Sequence, residues 1–185
     1  MMGYSGKRCD ATTRCKAANL HNDKMNWWTV WDKPGWLVCP KGQLMWKLKR
    51  SNCQALSCLE SGGCAAACEG RDHVFQLRHC YHDLGWYTAF DKKGSVKCLD
   101  DYFVAGLYRS CESLYCLNMA KCCSLKEARQ PSKLCGKVGW QADFNNGAVP
   151  VKVPANSFIT GFTRSEGHQL KNIEGASYCG FVRGY

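Results

Sequence analysis

The chain has 185 residues, 45% of them hydrophobic and 12% aromatic, with a formal net charge of +10. That size suits one or two domains, and that composition excludes a disordered or collagen-like chain. No apolar run approaches the ~20 residues of a membrane-spanning helix, and 15 Cys without one Cys-x-x-Cys point to disulfides in an oxidising compartment, not to zinc.

Residues 1–26 are polar, hold Cys9 and Cys15, and read as an N-terminal arm. They show no charged n-region followed by an apolar h-region, so the chain reads as a mature form or as one to which Met1 was added for expression. Next comes Trp27-Trp28-Thr29-Val30-Trp31-Asp32, which recurs as Trp86-Tyr87-Thr88-Ala89-Phe90-Asp91 and as Trp140-Gln141-Ala142-Asp143-Phe144-Asn145. Residues 44–51 recur in the same way as 103–110 and 158–165, at an offset of 59 residues and then of 54 to 56. A fixed period of this size marks one structural unit used three times, at 27–68, 86–123 and 140–179. The stretches between them, about 69–85 and 124–139, mix charge, Gly and Pro131 and read as connectors. Residues 125–130 are the better candidate there for a short helix.

Inside a unit the signals are β signals. Residues 86–90 are short and aromatic-rich and read as a first strand. Lys33-Pro34-Gly35 and Lys92-Lys93-Gly94 then read as turns. A second strand runs toward Cys39 or Cys98, a third spans about 103–108, and a fourth about 114–121, matched by 56–60 and 170–174. One parity of the third strand carries Leu44, Trp46, Leu48; Phe103, Ala105, Leu107; and Phe158, Thr160, Phe162, so it is expected to face the core. Gly106 and Gly161 recur at one site, the signature of a bulge or a close backbone approach. The expected fold is all-β: three disulfide-stapled four-stranded repeats, closed as a pseudo-threefold β-prism or trefoil-like barrel in one compact domain. A string of separate units is the alternative.

Comparison of the copies constrains the sulfur pairing. Cys39 and Cys64 correspond to Cys98 and Cys122, and both positions change together in the third copy, to Val153 and Tyr178. Joint loss predicts Cys39–Cys64 and Cys98–Cys122. Cys53–Cys58 and Cys111–Cys116 follow in the same way, because the third copy has neither half. Cys68–Cys80 and Cys123–Cys135, each 12 residues apart, are expected to staple one unit to the lead-in of the next. Cys179–Cys15 would close the ring. Cys9 is left as the odd thiol, free or bonded to another chain.

Candidate site residues come from recurrence as well. Arg50, Arg109 and Arg164 end the third strands on the core-facing parity. Asp32 and Asp91 recur in the first strand, with Asn145 in the third copy. A buried Arg needs an acidic partner, so these read as a structural clamp or as a polar ligand site used three times. A carboxylate, an Arg and a nearby Trp form a sensible sugar-binding set. Trp36 follows a turn and has Ser95 in place of an aromatic in the second copy, which suits contact with a partner. His168 sits in a loop without a Cys pair and is a further contact candidate. The leading Trp27, Trp86 and Trp140 read as core anchors. No Gly-x-Ser-x-Gly, His-Glu-x-x-His or phosphate-cradling loop is present. A glycoside-hydrolysing carboxylate pair has no local motif, so a secreted enzyme of another type stays open. No cofactor or metal site is expected.

The string Trp86…Phe90-Asp91-Lys92-Lys93-Gly94…Cys98…Tyr102…Gly106-Leu107-Tyr108-Arg109-Ser110…Leu114-Tyr115…Cys122-Cys123 resembles the Trp/Cys tandem repeats of secreted invertebrate proteins. Some of those are appended to proteins of the membrane-attack-complex/perforin type. The chain is loosely similar to the dermatopontin family of matrix proteins too, without their Asp-Arg-x-Trp hexapeptide. The resemblance covers about residues 27–179 and implies an extracellular, disulfide-bonded, non-enzymatic β module.

The functional expectation is a secreted binding module that recognises glycans or a cell surface, with a role in defence or toxin targeting. The alternative is a structural matrix, egg-coat, shell or adhesive protein cross-linked through its odd Cys. Expected partners are glycans or surface components, and the chain is expected to form a disulfide-linked or symmetric oligomer. The positive charge would attract polyanions. However, no block of five Lys/Arg exists, and the oxidising compartment argues against nucleic acid.

Overall fold

The structure, a computed structural model, describes residues 6–8, 21–26, 33–69, 73–125, 133–140, 150–154 and 157–181. For residues 6–8, 21–26, 60–61, 68–69, 73–74, 133–134 and 181 it describes the backbone alone. The described chain is all-β. In order it forms β1 (Gly6–Arg8), β2 (His21–Asn26), β3 (Gly35–Val38), β4 (Leu44–Arg50), β5 (Leu59–Ala65), β6 (Ala67–Glu69), β7 (His73–Val74), β8 (Leu77–Asp83), helix α1 (Trp86–Ala89), β9 (Gly94–Lys97), β10 (Phe103–Arg109), β11 (Leu117–Leu125), β12 (Lys133–Gly139), β13 (Val151–Lys152), β14 (Ser157–Arg164) and β15 (Ile173–Phe181). Single 3-10 turns, Leu56–Cys58, Leu114–Cys116 and Leu170–Asn172, precede β5, β11 and β15.

Three four-stranded antiparallel sheets result, with strand orders β13-β4-β5-β2, β3-β10-β11-β8 and β12-β15-β14-β9; β1, β6 and β7 form a smaller one. The make-up of the three is informative. Each takes three strands from one stretch of sequence and one short strand from another. β3 leaves its own neighbours and pairs β10, with Leu37 opposite Leu107; β9 pairs β14, with Val96 opposite Phe162; β13 returns to β4, with Val151 opposite Leu48. The donations therefore run in a closed circle.

A bulge fixes each donation. Trp46, Ala105 and Thr160 are skipped in the pairing of β4, β10 and β14 with their partners. Each skipped carbonyl accepts a backbone N–H just past the incoming strand: Cys39 to Ala105 at 2.8 Å, Cys98 to Thr160 at 2.8 Å, and Val153 to Trp46 at 3.1 Å. The bulge also breaks the simple alternation expected for these strands. Leu44 and Met45, Phe103 and Val104, and Phe158 and Ile159 are all buried as adjacent pairs.

β4, β10 and β14 pack against one another around a shared core. Phe103 meets Phe158 edge-on at 6.1 Å, and Phe162 receives Trp86 edge-on at 5.9 Å and Trp140 at 6.2 Å. Trp86 and Trp140 are buried; Trp27 lies outside the described residues. Residues 86–90, expected as a strand, form a helical turn instead. Phe90 N–H bonds the Trp86 carbonyl at 2.9 Å, which sets Trp86 and Phe90 on one face, stacked 6.0 Å apart over the core. Two aromatics four residues apart fit a helix as well as they fit a short strand. The stretches read as connectors hold strands β8 and β12.

Six disulfides join the described cysteines. Cys39–Cys64, Cys98–Cys122, Cys53–Cys58 and Cys111–Cys116 are bonded. The expected Cys68–Cys80, Cys123–Cys135 and Cys179–Cys15 are not. Cys80 is bonded to Cys123, and Cys135 to Cys179. The reason is strand direction. β8 and β12 run antiparallel beside β11 and β15, which sets Cys80 directly opposite Cys123 and Cys135 directly opposite Cys179. Each of these two strands is thus bonded to its neighbour in its own sheet. Cys9 and Cys15 lie outside the described residues, and Cys68 is described by its backbone alone.

Candidate functional site

The recurring arginines lie inside the molecule, where burial lowers the pKa of Arg50 and Arg164. Each sends donors to the loop that follows its own strand, β4, β10 or β14. Arg50 Nη1 donates to the carbonyls of Ser51 and Cys53, both at 3.1 Å. Arg109 Nη1 donates to the Cys111 carbonyl at 3.2 Å and to Glu112 Oε1 at 2.9 Å. Arg164 Nε donates to the Ser165 carbonyl at 3.1 Å, and its Nη atoms donate to the carbonyls of Phe90 and Gly167. Asp91 is exposed and acts on Arg164 only through its charge. Asp32 lies outside the described residues.

Those loops are bonded to one another in a cycle. Leu56 N–H donates to the Glu112 carbonyl, Leu114 N–H to that of His168 and Leu170 N–H to that of Gln54, each at 2.8 Å. Side chains reinforce two of the junctions: Glu112 Oε2 accepts from Ser57 N–H at 3.1 Å, and Gln54 Oε1 from Lys171 N–H at 3.0 Å. Burial alone would raise the pKa of Glu112, but its bonds to Ser57 and its contact with Arg109 outweigh that and lower it. His168 itself is exposed. The structure thus gathers Arg109, Glu112 and His168 at one set of loops, where the buried guanidinium groups bond the chain's own carbonyls.

The outer sheet faces hold the side chains that are turned to solvent. On the β3-β10-β11-β8 sheet, Trp36 lies 4.4 Å from the His82 ring and 5.4 Å from that of Tyr108. Register explains the cluster: Tyr108 stands opposite Trp36, and His82 opposite Lys121. Exposed Val38 extends the patch. Three aromatic rings on three strands of one sheet form a rigid, half-exposed surface. Trp36 was legible as a non-recurring turn aromatic. Tyr108 and His82 become its neighbours only once β3 is known to pair with β10.

The corresponding face of the β12-β15-β14-β9 sheet is different. Ser95, Thr163, Ser177 and Lys137 occupy the register positions of Trp36, Tyr108, Lys121 and His82. Small side chains leave a groove of about 730 Å³. One wall is the 98–102 loop, held where Leu99 N–H donates to Tyr81 Oη at 2.8 Å and where Tyr102 Oη lies 3.2 Å from His79 Nδ1. Burial, the first cause, pushes the Tyr81 hydroxyl pKa up, and the nearby Asp83 adds to it.

No protein-family model, curated protein or solved structure matches this chain. No helix among the described residues is long and apolar enough to cross a membrane.

Proposed function

We propose that the chain is a secreted, non-enzymatic glycan-binding module of cell or matrix surfaces, built as a pseudo-threefold β-prism-like domain. One observation carries the reading: Trp36, Tyr108 and His82 form an outward-facing aromatic surface on a disulfide-bonded sheet. A flat ring held in place stacks on the C–H face of a sugar with little ordering cost. Hydrogen-bonding neighbours then select among sugars, and Lys121 stands directly across from His82 to do so. The six disulfides suit an extracellular setting.

The test is a neutral-glycan array followed by calorimetry on the best oligosaccharide. Trp36→Ala is expected to weaken binding about tenfold, the value of one stacked ring. An array without a neutral ligand, or affinity that survives Trp36→Ala, would refute the aromatic surface as a sugar site.

A further inference from the structure

The groove on the β12-β15-β14-β9 sheet has chemistry that the aromatic face lacks. Its floor carries Thr160 and Ser177, each 7% exposed. Neither hydroxyl has a hydrogen-bond partner among the described residues. Neither oxygen is shut away from solvent, so both hydroxyls stand open to water or a ligand in the groove. Ser95 Oγ and Thr163 Oγ1 lie 2.8 Å apart at the rim. Lys137, on the far strand, reaches across the sheet to 3.5 Å from Ser95 Oγ. Among the described residues, no carboxylate lies within ion-pair distance of that ammonium. The two carboxylates of the groove wall are differently placed: Asp100 is 3.4 Å from Lys97, and Asp101 has a partner of its own.

From this arrangement we infer a second binding site, for a saccharide that carries an anionic group. The Lys137 ammonium takes the carboxylate or sulfate, and the hydroxyls of Thr160, Ser177 and Ser95 bond the ring hydroxyls. The groove volume is within the range of small-ligand sites, ~300–1,000 Å³. Bulk positive charge alone would attract any polyanion; this site attracts one through Lys137 above a floor of hydroxyls, the other lysine of its lining, Lys97, being paired with Asp100. The inference stands apart from the Trp36 surface, which lies on another sheet.

Three probes separate the possibilities by calorimetry at physiological salt: a heparin-derived tetrasaccharide, the same tetrasaccharide stripped of sulfate, and neutral chitotetraose. At least one of the two anionic probes should bind the intact chain, and whether the desulfated one binds tells carboxylate from sulfate recognition. Lys137→Gln should weaken that binding about tenfold, the loss of one ionic hydrogen bond. Ser177→Ala removes a hydroxyl the fold does not use, so the melting temperature should hold while affinity falls several-fold. Lys92→Gln removes the same charge from an exposed turn outside the groove and should leave affinity within about twofold, since a distant surface charge is screened. Trp36→Ala should do the same. Equal losses in Lys137→Gln and Lys92→Gln would reduce the effect to net charge and overturn the site. So would failure of both anionic probes to bind, or loss of their binding in Trp36→Ala with Lys137→Gln unaffected.

Discussion

Arg109 is fully buried, yet it pairs with Glu112, whose side chain is half exposed at 2.9 Å. The pair belongs to the loop cycle: the same carboxylate accepts from Ser57 N–H, and the Glu112 carbonyl accepts from Leu56 N–H. The 164–172 loop solves the same problem without sulfur. Gly167 and Asn172 stand where Cys111 and Cys116 are bonded, and Asn172 Nδ2 donates to the Glu166 carbonyl at 2.9 Å and to Ser165 Oγ at 3.2 Å. A Cβ at position 167 would sit 2.4 Å from Asn172 Oδ1, so Gly and Asn are a matched pair. The electrostatics make a prediction about pH. The Glu112 pKa is lowered in the folded chain, so its stabilising contribution is fully present above the unfolded carboxyl value of about 4.3 and is lost as pH falls through the lower folded value. Melting temperatures from pH 3 to 7 should show Glu112→Gln less stable than the parent near neutrality and the gap closing toward pH 3. A gap that is constant across that range would mean the carboxylate's charge plays no part.

At the level of strands, recurring glycines proved the clearest signal in the sequence, because they mark where a strand from elsewhere comes in. A Cβ on Gly161 would lie 2.1 Å from the Val96 carbonyl and 2.6 Å from Lys97 Cα, both backbone atoms of β9. On Gly106 the nearest atoms are Val38 Cγ1 at 2.8 Å and the Leu37 carbonyl at 2.9 Å. Gly161→Ala should therefore cost about 3 kcal/mol and Gly106→Ala less, read from urea midpoints at unchanged m-value, since a side chain yields more easily than backbone. Equal costs would show that β9 and β3 seat alike. The sequence comparison located this site but not the incoming strand, because nothing local tells a strand whose sheet it will join. The sulfur pairing was legible to the same depth. Cys39–Cys64 and Cys98–Cys122 follow from joint loss, which is independent of topology. Cys80–Cys123 and Cys135–Cys179 required the direction of β8 and β12, which equal spacing along the chain does not encode. Across those two strands a further exchange is visible. Tyr81 faces Cys122, whereas Gly136 faces Tyr178, so the aromatic ring has moved from one strand to its neighbour and the glycine makes room for it.

For the molecule as a whole, the circle of donated strands decides where it is strongest. Cys39 follows β3, which lies in the β10 sheet, while Cys64 lies in β5 beside β4; their bond therefore links two sheets. Cys98–Cys122 links β9, in the β14 sheet, back to β11 in the same manner. The remaining junction, from the β14 sheet to the β4 sheet, has Val153 and Tyr178 at the matching positions and no bridge. It also has the shortest donated strand, the two residues of β13. Among the described residues that seam rests on the buried Val151 and Val153, on the two-residue pairing of β13 with β4, on the Val153 N–H to the Trp46 carbonyl, and on Trp140 Nε1, which donates to the Lys152 carbonyl at 3.2 Å. It should therefore open first, and hydrogen exchange should find β13 and the facing edge of β4 less protected than β3 or β9. The converse change is the sharper test. Val153→Cys with Tyr178→Cys restores the missing bridge across 25 residues, and a loop of that size is worth ~3 kcal/mol through restriction of the unfolded chain. Mass measurement without reductant should show the two thiols joined, and the urea midpoint should rise. Joined thiols with no gain in stability would mean that the open seam is not the weak point, and that the four-residue donated strands limit the fold instead.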